Sequence, residues 1–380
     1  SDLNASPTDL IGPAVSIANV ASFGTLSTSP TRRLNKMYQV VNTLSRQAGA
    51  HALRAGIDVV INDDTITYPR SFRGNYTFSS MASFLVGDYT GFTQTFGDPV
   101  VSQTNPNVGV YPQDEWRVGS RLTLNLGLRY DLQFLETTRT HTDTLSARAG
   151  FAWTPLSSHA LVVRGNAGLF YDRVPLRAVA NAILSSGNST DLANLQQPTV
   201  SGLIPTQAGA PVFAGILPAQ LLTTTLVDFT TMDRHLQNAY SRQAGVEVER
   251  AFGRGTSLGA GYQYVRGLHL IMSINQNVPT CVAAGTNNGC RPDAGYRNNS
   301  QYSSAGDSTY HGLHVSLQQR PVSWPTARVS YTLSKSMNDM GEAFFSSPMD
   351  PTNVRRDWGR SDDDQRHRLV ANGTVSLPHA

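Results

Sequence analysis

From Arg121 to Phe134, hydrophobic and polar residues alternate without a slip. Leu122, Leu124, Leu126, Leu128, Tyr130, Leu132 and Phe134 fall on one side. Arg121, Thr123, Asn125, Gly127, Arg129, Asp131 and Gln133 fall on the other. Successive side chains of a strand point to opposite faces, so the stretch has one apolar wall and one polar wall. A globular strand averages about 5–6 residues and a tilted membrane-spanning strand needs roughly 9–11. The length fits a membrane strand; a long antiparallel strand of a soluble sheet has the same pattern.

Shorter versions of the pattern recur along the chain. Val15 to Phe23 alternates weakly, and Met37 to Arg46 does so with Asn42 on the side of Tyr38, Val40 and Leu44. Leu53, Ala55, Ile57, Val59 and Ile61 follow a turn at Gly49. Val108 to Val118 is a strand candidate interrupted by Pro112, which predicts a bulge or a local loss of pairing. Further strands are marked by Leu145 to Trp153, Leu161 to Tyr171, Ala244 to Val248, Leu258 to Tyr264, Leu313 to Leu317, Ala327 to Leu333 and Leu369 to Leu377. Met81 to Val86 and Leu176 to Leu184 are short helix candidates. The total is about twelve strands, with no helix placed to cross between parallel neighbours, so the strands pair antiparallel.

The connections alternate in length. Tight turns fall near Gly49, Gly119, Ser157, Gly255 and Trp324; long loops fall at 63–107, 136–142, 173–236, 267–309 and 338–365. Up-and-down strands place all the tight turns at one end and all the long loops at the other, as outer-membrane barrels do. Tyr130, Phe134, Trp153, Phe170, Tyr171, Tyr262, Tyr264 and Tyr331 lie near strand ends, where a barrel carries its aromatic girdles. The expected fold is all-β: an antiparallel, up-and-down transmembrane β-barrel segment of about twelve strands with long extracellular loops. Aromatics filling the core of a soluble sandwich are the competing reading.

Composition agrees with that fold. Charged residues make up 15 % of 380 and the mean hydropathy is −0.26. No run of ~18 apolar residues marks a transmembrane helix, and barrel strands look soluble on average because half their residues face a polar interior. The formal charge of +3 and the lack of a basic run argue against nucleic acid as a partner. Ser1 to Pro13 lacks the charged start and apolar centre of a signal peptide, so a leader was removed or the sequence begins mid-protein. Cys281 and Cys290 flank a Gly- and Asn-rich segment with no further metal ligands nearby. A loop-closing disulfide is the better reading over two free thiols, and it implies an oxidising compartment.

Candidate chemistry is sparse. His311 and His314 are three apart on a strand and so point to opposite faces; with His367 they do not make a metal or acid–base site. Asp362, Asp363 and Asp364, with Asp339 and Glu342, lack EF-hand spacing and read as a solvated acidic loop. Gly253-Arg254-Gly255 is a hairpin turn with no helix after it, so it is not a phosphate loop. No nucleophile elbow is present. The expectation is no enzyme, no metal and no cofactor. If the apolar set faces lipid, Arg129, Asp131, Arg148, Arg164, Asn166, Glu247, Glu249, Gln263, Arg328 and Lys335 face the lumen. There they would line a solute path or pack against a plug, the second being the expected role for most of them.

Several motifs carry a family resemblance. Gln113-Asp114-Glu115-Trp116-Arg117, followed by Leu122 to Tyr130, resembles the barrel of TonB-dependent outer-membrane receptors. Arg148 to Trp153, Gly168 to Asp172, Tyr240 to Gln243, Tyr310 to Leu313, Tyr331 to Lys335 and Asp364 to Arg368 resemble the Oar-like branch of that family. The resemblance runs from about Tyr38 to the end and rests on the order and spacing of the motifs together. It implies a barrel of about 22 strands with an N-terminal plug, often behind a carboxypeptidase-regulatory-like domain, in the outer membrane of a Gram-negative bacterium. Its implied partners are outer-membrane lipid, an extracellular ligand and a TonB complex that energises uptake through the plug. The chain departs from the pattern: it has no plug-like segment or TonB-contact motif, too few strands, Pro112 inside a strand, and an end at Ser376 to Ala380 without a terminal aromatic. Residues 1–380 are therefore expected to be a partial barrel domain lacking the plug, the N-terminal domain and the C-terminal strands. The expected function is the barrel part of a TonB-dependent transporter or receptor for an unnamed solute; a surface adhesion or assembly protein, or a passive porin, is the alternative.

Overall fold

The computed structural model describes residues 12–28, 31–158, 160–218, 226–253, 255–281, 290–319, 326–341 and 346–374. In chain order the strands begin β1 (Ala14–Ile17), β2 (Ala21–Phe23), β3 (Arg32–Ala48), β4 (His51–Thr67), β5 (Asn75–Phe78), β6 (Gly91–Thr95), β7 (Val100–Arg117), β8 (Leu122–Gln133) and β9 (Leu145–Trp153). They continue β10 (Leu161–Tyr171), β11 (Thr199–Leu203), β12 (Phe229–Met232), β13 (Tyr240–Phe252), β14 (Thr256–Asn275), β15 (Asn299–Gln319), β16 (Thr326–Asn338), β17 (Gly359–Arg360) and β18 (His367–Thr374). Two helices, α1 (Met81–Leu85) and α2 (Leu176–Ser186), lie where the sequence places its helix candidates.

One large sheet runs β3-β4-β7-β8-β9-β10-β13-β14-β15-β16, with β18 and the short β17 both pairing β16. Every neighbour along this path is antiparallel. The long strands number eleven rather than about twelve. Val15 to Phe23 accounts for the difference: it splits at a turn into β1 and β2, which join a second sheet. The short and long connections alternate as expected, with the tight turns beside Gly49, Gly119 and Ser157 at one end. The turn around Trp324, Arg254, Glu342, the segment 282–289 and the end of the last strand candidate at Val375 and Leu377 lie outside the described residues.

Registers hold over long distances. β3 and β4 stay paired from Arg32↔Thr67 to Ala48↔His51, and β4 and β7 from His51↔Trp116 to Thr67↔Val100. β7 begins at Val100, well before the alternation at Val108 betrays it. Pro112 keeps Ala55 as its partner on β4. The ladder to β8 passes from Val110↔Tyr130 to Gln113↔Gly127 without a shift, so the proline causes a local loss of pairing and not a bulge.

The two faces of this sheet differ. On one, Leu53, Ile57, Val110, Leu126, Leu128, Val246, Leu313 and Val329 stand exposed. On the other, Ile66 and Val101 pack with Ala180 and Leu184 of α2. A water-exposed apolar sheet face of this extent would be an aggregation surface, whereas in a bilayer it is the solvated one. The bare face is thus the outer, lipid-facing wall, and the face under α2 is the inner one.

A second, five-stranded sheet, ordered β11-β6-β5-β1-β2, is built from the segment ahead of β3 and from two connections at the long-loop end. Its core is Val15, Ile17, Tyr76, Phe78, Tyr89, Phe92, Phe96, Val200, Leu217, Val227 and Phe229. Tyr76 sits at its centre, with ring centroids 4.6 Å from Phe92 and 5.0 Å from Phe213. Gln94 clamps the chain at Leu217, its amide donating to the carbonyl at 3.1 Å and accepting from the N–H at 2.8 Å. Gly97 closes this sheet against β11: its φ is +90° and a side chain there would run into the Gln196 carbonyl.

Gly97→Ala combines that backbone strain with a collision and is expected to destabilise the second sheet by about 1–3 kcal/mol. Limited proteolysis should then cut the 192–217 segment faster, while heat-resistant migration of the folded barrel on gels stays unchanged.

Candidate functional site

The inner wall is centred on Arg129. Its guanidinium donates to both carboxylate oxygens of Asp131, at 2.7 and 2.6 Å, because residues two apart on a strand share a face. Asp58 of β4 lies 3.9 Å from Arg129 and 4.0 Å from Arg173, which enters from the loop after β10. Gln39 donates to Asp58 at 2.9 Å, and Arg129 lies over the Tyr111 ring at 5.9 Å. Gly109 stands between Asp58 and Asp131 in the ladder, and any side chain there would overlap the Arg129–Asp131 pair. Two arginines thus balance two carboxylates on three segments of chain.

The remaining sequence candidates distribute along the same face, with one exception. Arg148 lies over the Phe170 ring at 4.4 Å, and Arg164 pairs with Glu249 at 3.0 Å. Glu247 lies 4.0 Å from His314, and Asn166 and Gln263 both stand opposite Gly245. Arg328 falls on this inner face through its partner Gln318. Lys335 does not: it pairs with His311 on the outer face, together with Tyr331 and Leu333. The reason is parity, since 335 is two residues from 333 and seven from 328. His311 and His314 do occupy opposite faces, His311 hydrogen-bonding Tyr262 at 2.6 Å on the outer one.

Nearer the long-loop end, the inner wall carries polar residues that sequence reasoning missed. Gln103, Asn105 and Asn107 are buried on the α2-covered side of β7. Both amide atoms of Gln103 and of Asn105 lack a protein hydrogen-bond partner. Left dry, such groups cost about 1–3 kcal/mol each, so water or solute is their natural company. No periodic signal marks them, because Ser102, Thr104 and Pro106 alternate with them and blur the contrast.

α2 closes over this wall. Pro175 starts it and Gly187, at φ +60°, ends it. Gln133 fixes its approach by accepting from the Val174 N–H at 2.8 Å and donating to the Val174 carbonyl at 3.1 Å. Ala178, Val179 and Ala182 pack with Met232, Leu236, Ile271 and Tyr302, and Ser185 and Ser186 bond both backbone groups of Thr230 at 2.7 Å. Residues 174–186 and 229–236 of the long 172–239 connection therefore fold inward over the polar wall, while β11 of the same connection joins the second sheet.

The outer loops are braced in their own ways. Cys281 and Cys290 form a disulfide with Cα atoms 5.6 Å apart. In the acidic loop, Asp339 is buried, accepts from the Asp307 N–H at 2.7 Å and lies 3.5 Å from Arg355, which also bonds Asp307. Burial raises the Asp339 pKa, partly opposed by the Asp307 N–H and Arg355. Asp364 accepts from the Ser336 N–H at 2.7 Å. Among the described residues no cluster of three metal-ligating side chains forms.

A family model described as "Outer membrane beta barrel domain" matches residues 2–144 and 136–380. The TonB-dependent transporter Oar of Myxococcus xanthus is 27 % identical over 172 residues, which is 40 % of this chain and 16 % of that protein. The crystal structure of the outer membrane transporter YddB from Escherichia coli superposes with a TM-score of 0.56 at 13 % identity, covering 88 % of this chain and 39 % of that one. The chain thus spans well under half the length of either protein.

Two outcomes follow from the geometry. Arg129→Gln leaves Asp58 and Asp131 facing each other without their shared cation and should lower unfolding stability in detergent by about 1–2 kcal/mol; adding Asp131→Asn should restore part of the loss. For Asp339, a folded pKa above the unfolded one means that stability is greatest at low pH and falls as pH rises from the unfolded value of about 3.9 through the folded one. Hydrogen-exchange protection in the 338–366 loop, with the intrinsic base-catalysed pH dependence divided out, should therefore fall across that window, and Asp339→Asn should remove that fall.

Proposed function

We propose that this chain, which belongs to the outer membrane beta barrel domain family, supplies part of the wall and mouth of a gated receptor that carries a solute across the Gram-negative outer membrane. The observation that carries the reading is the inward fold of α2 and of residues 229–236. α2 seats against Ile66 and Val101 on the inner wall, on the side where Gln103 and Asn105 are buried, and on this reading it narrows the passage at the mouth. A passive porin would be served by an open, hydrated lumen, and an adhesin by loops projecting outward.

The charged inner set gives the passage its character. Arg129, Asp131, Asp58 and Arg173 form a balanced group, and Arg164–Glu249 and His314–Glu247 continue it around the wall. Mixed charges of this kind suit contact with a polar plug, or with a polar solute once a plug has moved. The likeness to a TonB-dependent transporter supports energy supplied through TonB and a plug carried elsewhere in a longer polypeptide. On this reading the partners are lipid outside, an extracellular ligand at the mouth, and the TonB complex acting through that plug. The named relatives are transporters, which fits binding and transport rather than catalysis.

The test is osmotic swelling of liposomes reconstituted with the full-length protein. A gated receptor leaves the vesicles impermeable to a pentose, whereas swelling at the rate of a general porin would overturn the reading.

A further inference from the structure

The outer wall has a depression of about 470 Å³ toward its tight-turn, periplasmic end. Its shape follows from one row of outward residues. Leu44, Ala55 and Pro112 are consecutive partners across β3, β4 and β7, and Leu128 of β8 stands beyond the rung that Pro112 removes. Two short side chains between two leucines make a trough with raised flanks. The row nearer the periplasm holds Arg46, Leu53, Asp114 and Leu126. Below it, His51 stacks on Trp116 at 5.3 Å and contacts Asp114 at 2.7 Å, so that carboxylate is engaged.

Arg46 is different. It is exposed on the lipid-facing side, lines the depression, and has no carboxylate within ion-pair distance among the described residues. A guanidinium with no carboxylate partner among the described residues, beneath an apolar trough and on a shelf of Trp116 and His51, matches a molecule with a hydrocarbon chain above and a phosphate below. The surrounding solvent supplies that molecule. We propose that the trough binds one glycerophospholipid of the periplasmic leaflet, with an acyl chain along Ala55 and Pro112 and its phosphate on Arg46. The flanking leucines increase dispersion contact with the chain over what a flat wall provides, and the charge-assisted bond fixes the head. This inference rests on the membrane fold and is independent of the solute-receptor reading.

The experiment is native mass spectrometry of the full-length protein extracted in mild detergent, with phospholipid phosphorus measured in parallel. Wild type is expected to retain one phospholipid per chain. Arg46→Gln, which keeps the trough, and Ala55→Leu, which fills it and keeps the cation, should each lower occupancy at least five-fold. Ala244→Leu on the outer face of β13 should leave it unchanged, and heat-modifiable gel migration confirms that each variant is folded. Back-loading from nanodiscs should restore phosphatidylethanolamine but not diacylglycerol, and free inorganic phosphate should not displace the lipid. Equal retention in all variants, or equal recovery of diacylglycerol, overturns the proposal. So does a dimer that disappears with Ala55→Leu, which would make the trough a contact between copies.

Discussion

Inside a bilayer no water is at hand to satisfy a backbone N–H or carbonyl, so each must find a partner within the protein. The rest of this structure depends on that constraint. It requires an uninterrupted antiparallel ladder, and the ladder here runs from β3 to β18 across eleven long strands. Once the ladder is imposed, side-chain alternation sorts the sequence into an outer apolar wall and an inner polar one. Pro112 is the instructive strain on the rule. Lacking an N–H, it gives up a rung to β8, yet Ala55 stays paired and the register survives on both sides.

The ladder then decides which charges meet. Arg129 reaches Asp131 along its own strand and Asp58 across two strands, and only because Gly109 leaves the intervening position empty. Arg173 joins from a connection 44 positions beyond Arg129 in the chain. The loops follow a different logic. Above the membrane they can satisfy their backbones with water, so they are free to build a second sheet around Tyr76 and to send α2 down over the inner wall. A rigid, fully paired wall thus carries a mouth whose parts are fastened by small apolar cores, by Gln94, Gln133 and Ser185, and by a disulfide.

Much of the wall was legible in the residues themselves. The leucine row of β8, the tight turns beside Gly49 and Gly119, both short helices and the common sheet face of nine of the ten polar candidates follow from period-2 alternation and turn chemistry, which are local properties. Lys335 was misplaced although the parity that corrects it is itself local: it shares the side of Leu333 and Tyr331. The first half of β7 was invisible because Gln103, Asn105 and Asn107 alternate with residues almost as polar as themselves.

The sequence by itself determined the wall: the antiparallel strands, their two faces and the end at which the long loops lie. Each of these rests on spacing between residues close in the chain. Only the tertiary structure decided the mouth. β1, β5, β6 and β11 come from three separate stretches, and none has enough apolar surface to stand alone before Tyr76, Phe78, Phe92 and Phe229 are brought together. The same holds for the inward seat of α2, which depends on Ile66 and Val101, and for the trough at Ala55 and Pro112, which exists only where two strands are in register. Contacts between residues far apart in sequence leave no periodic trace, so the chain encodes them without displaying them.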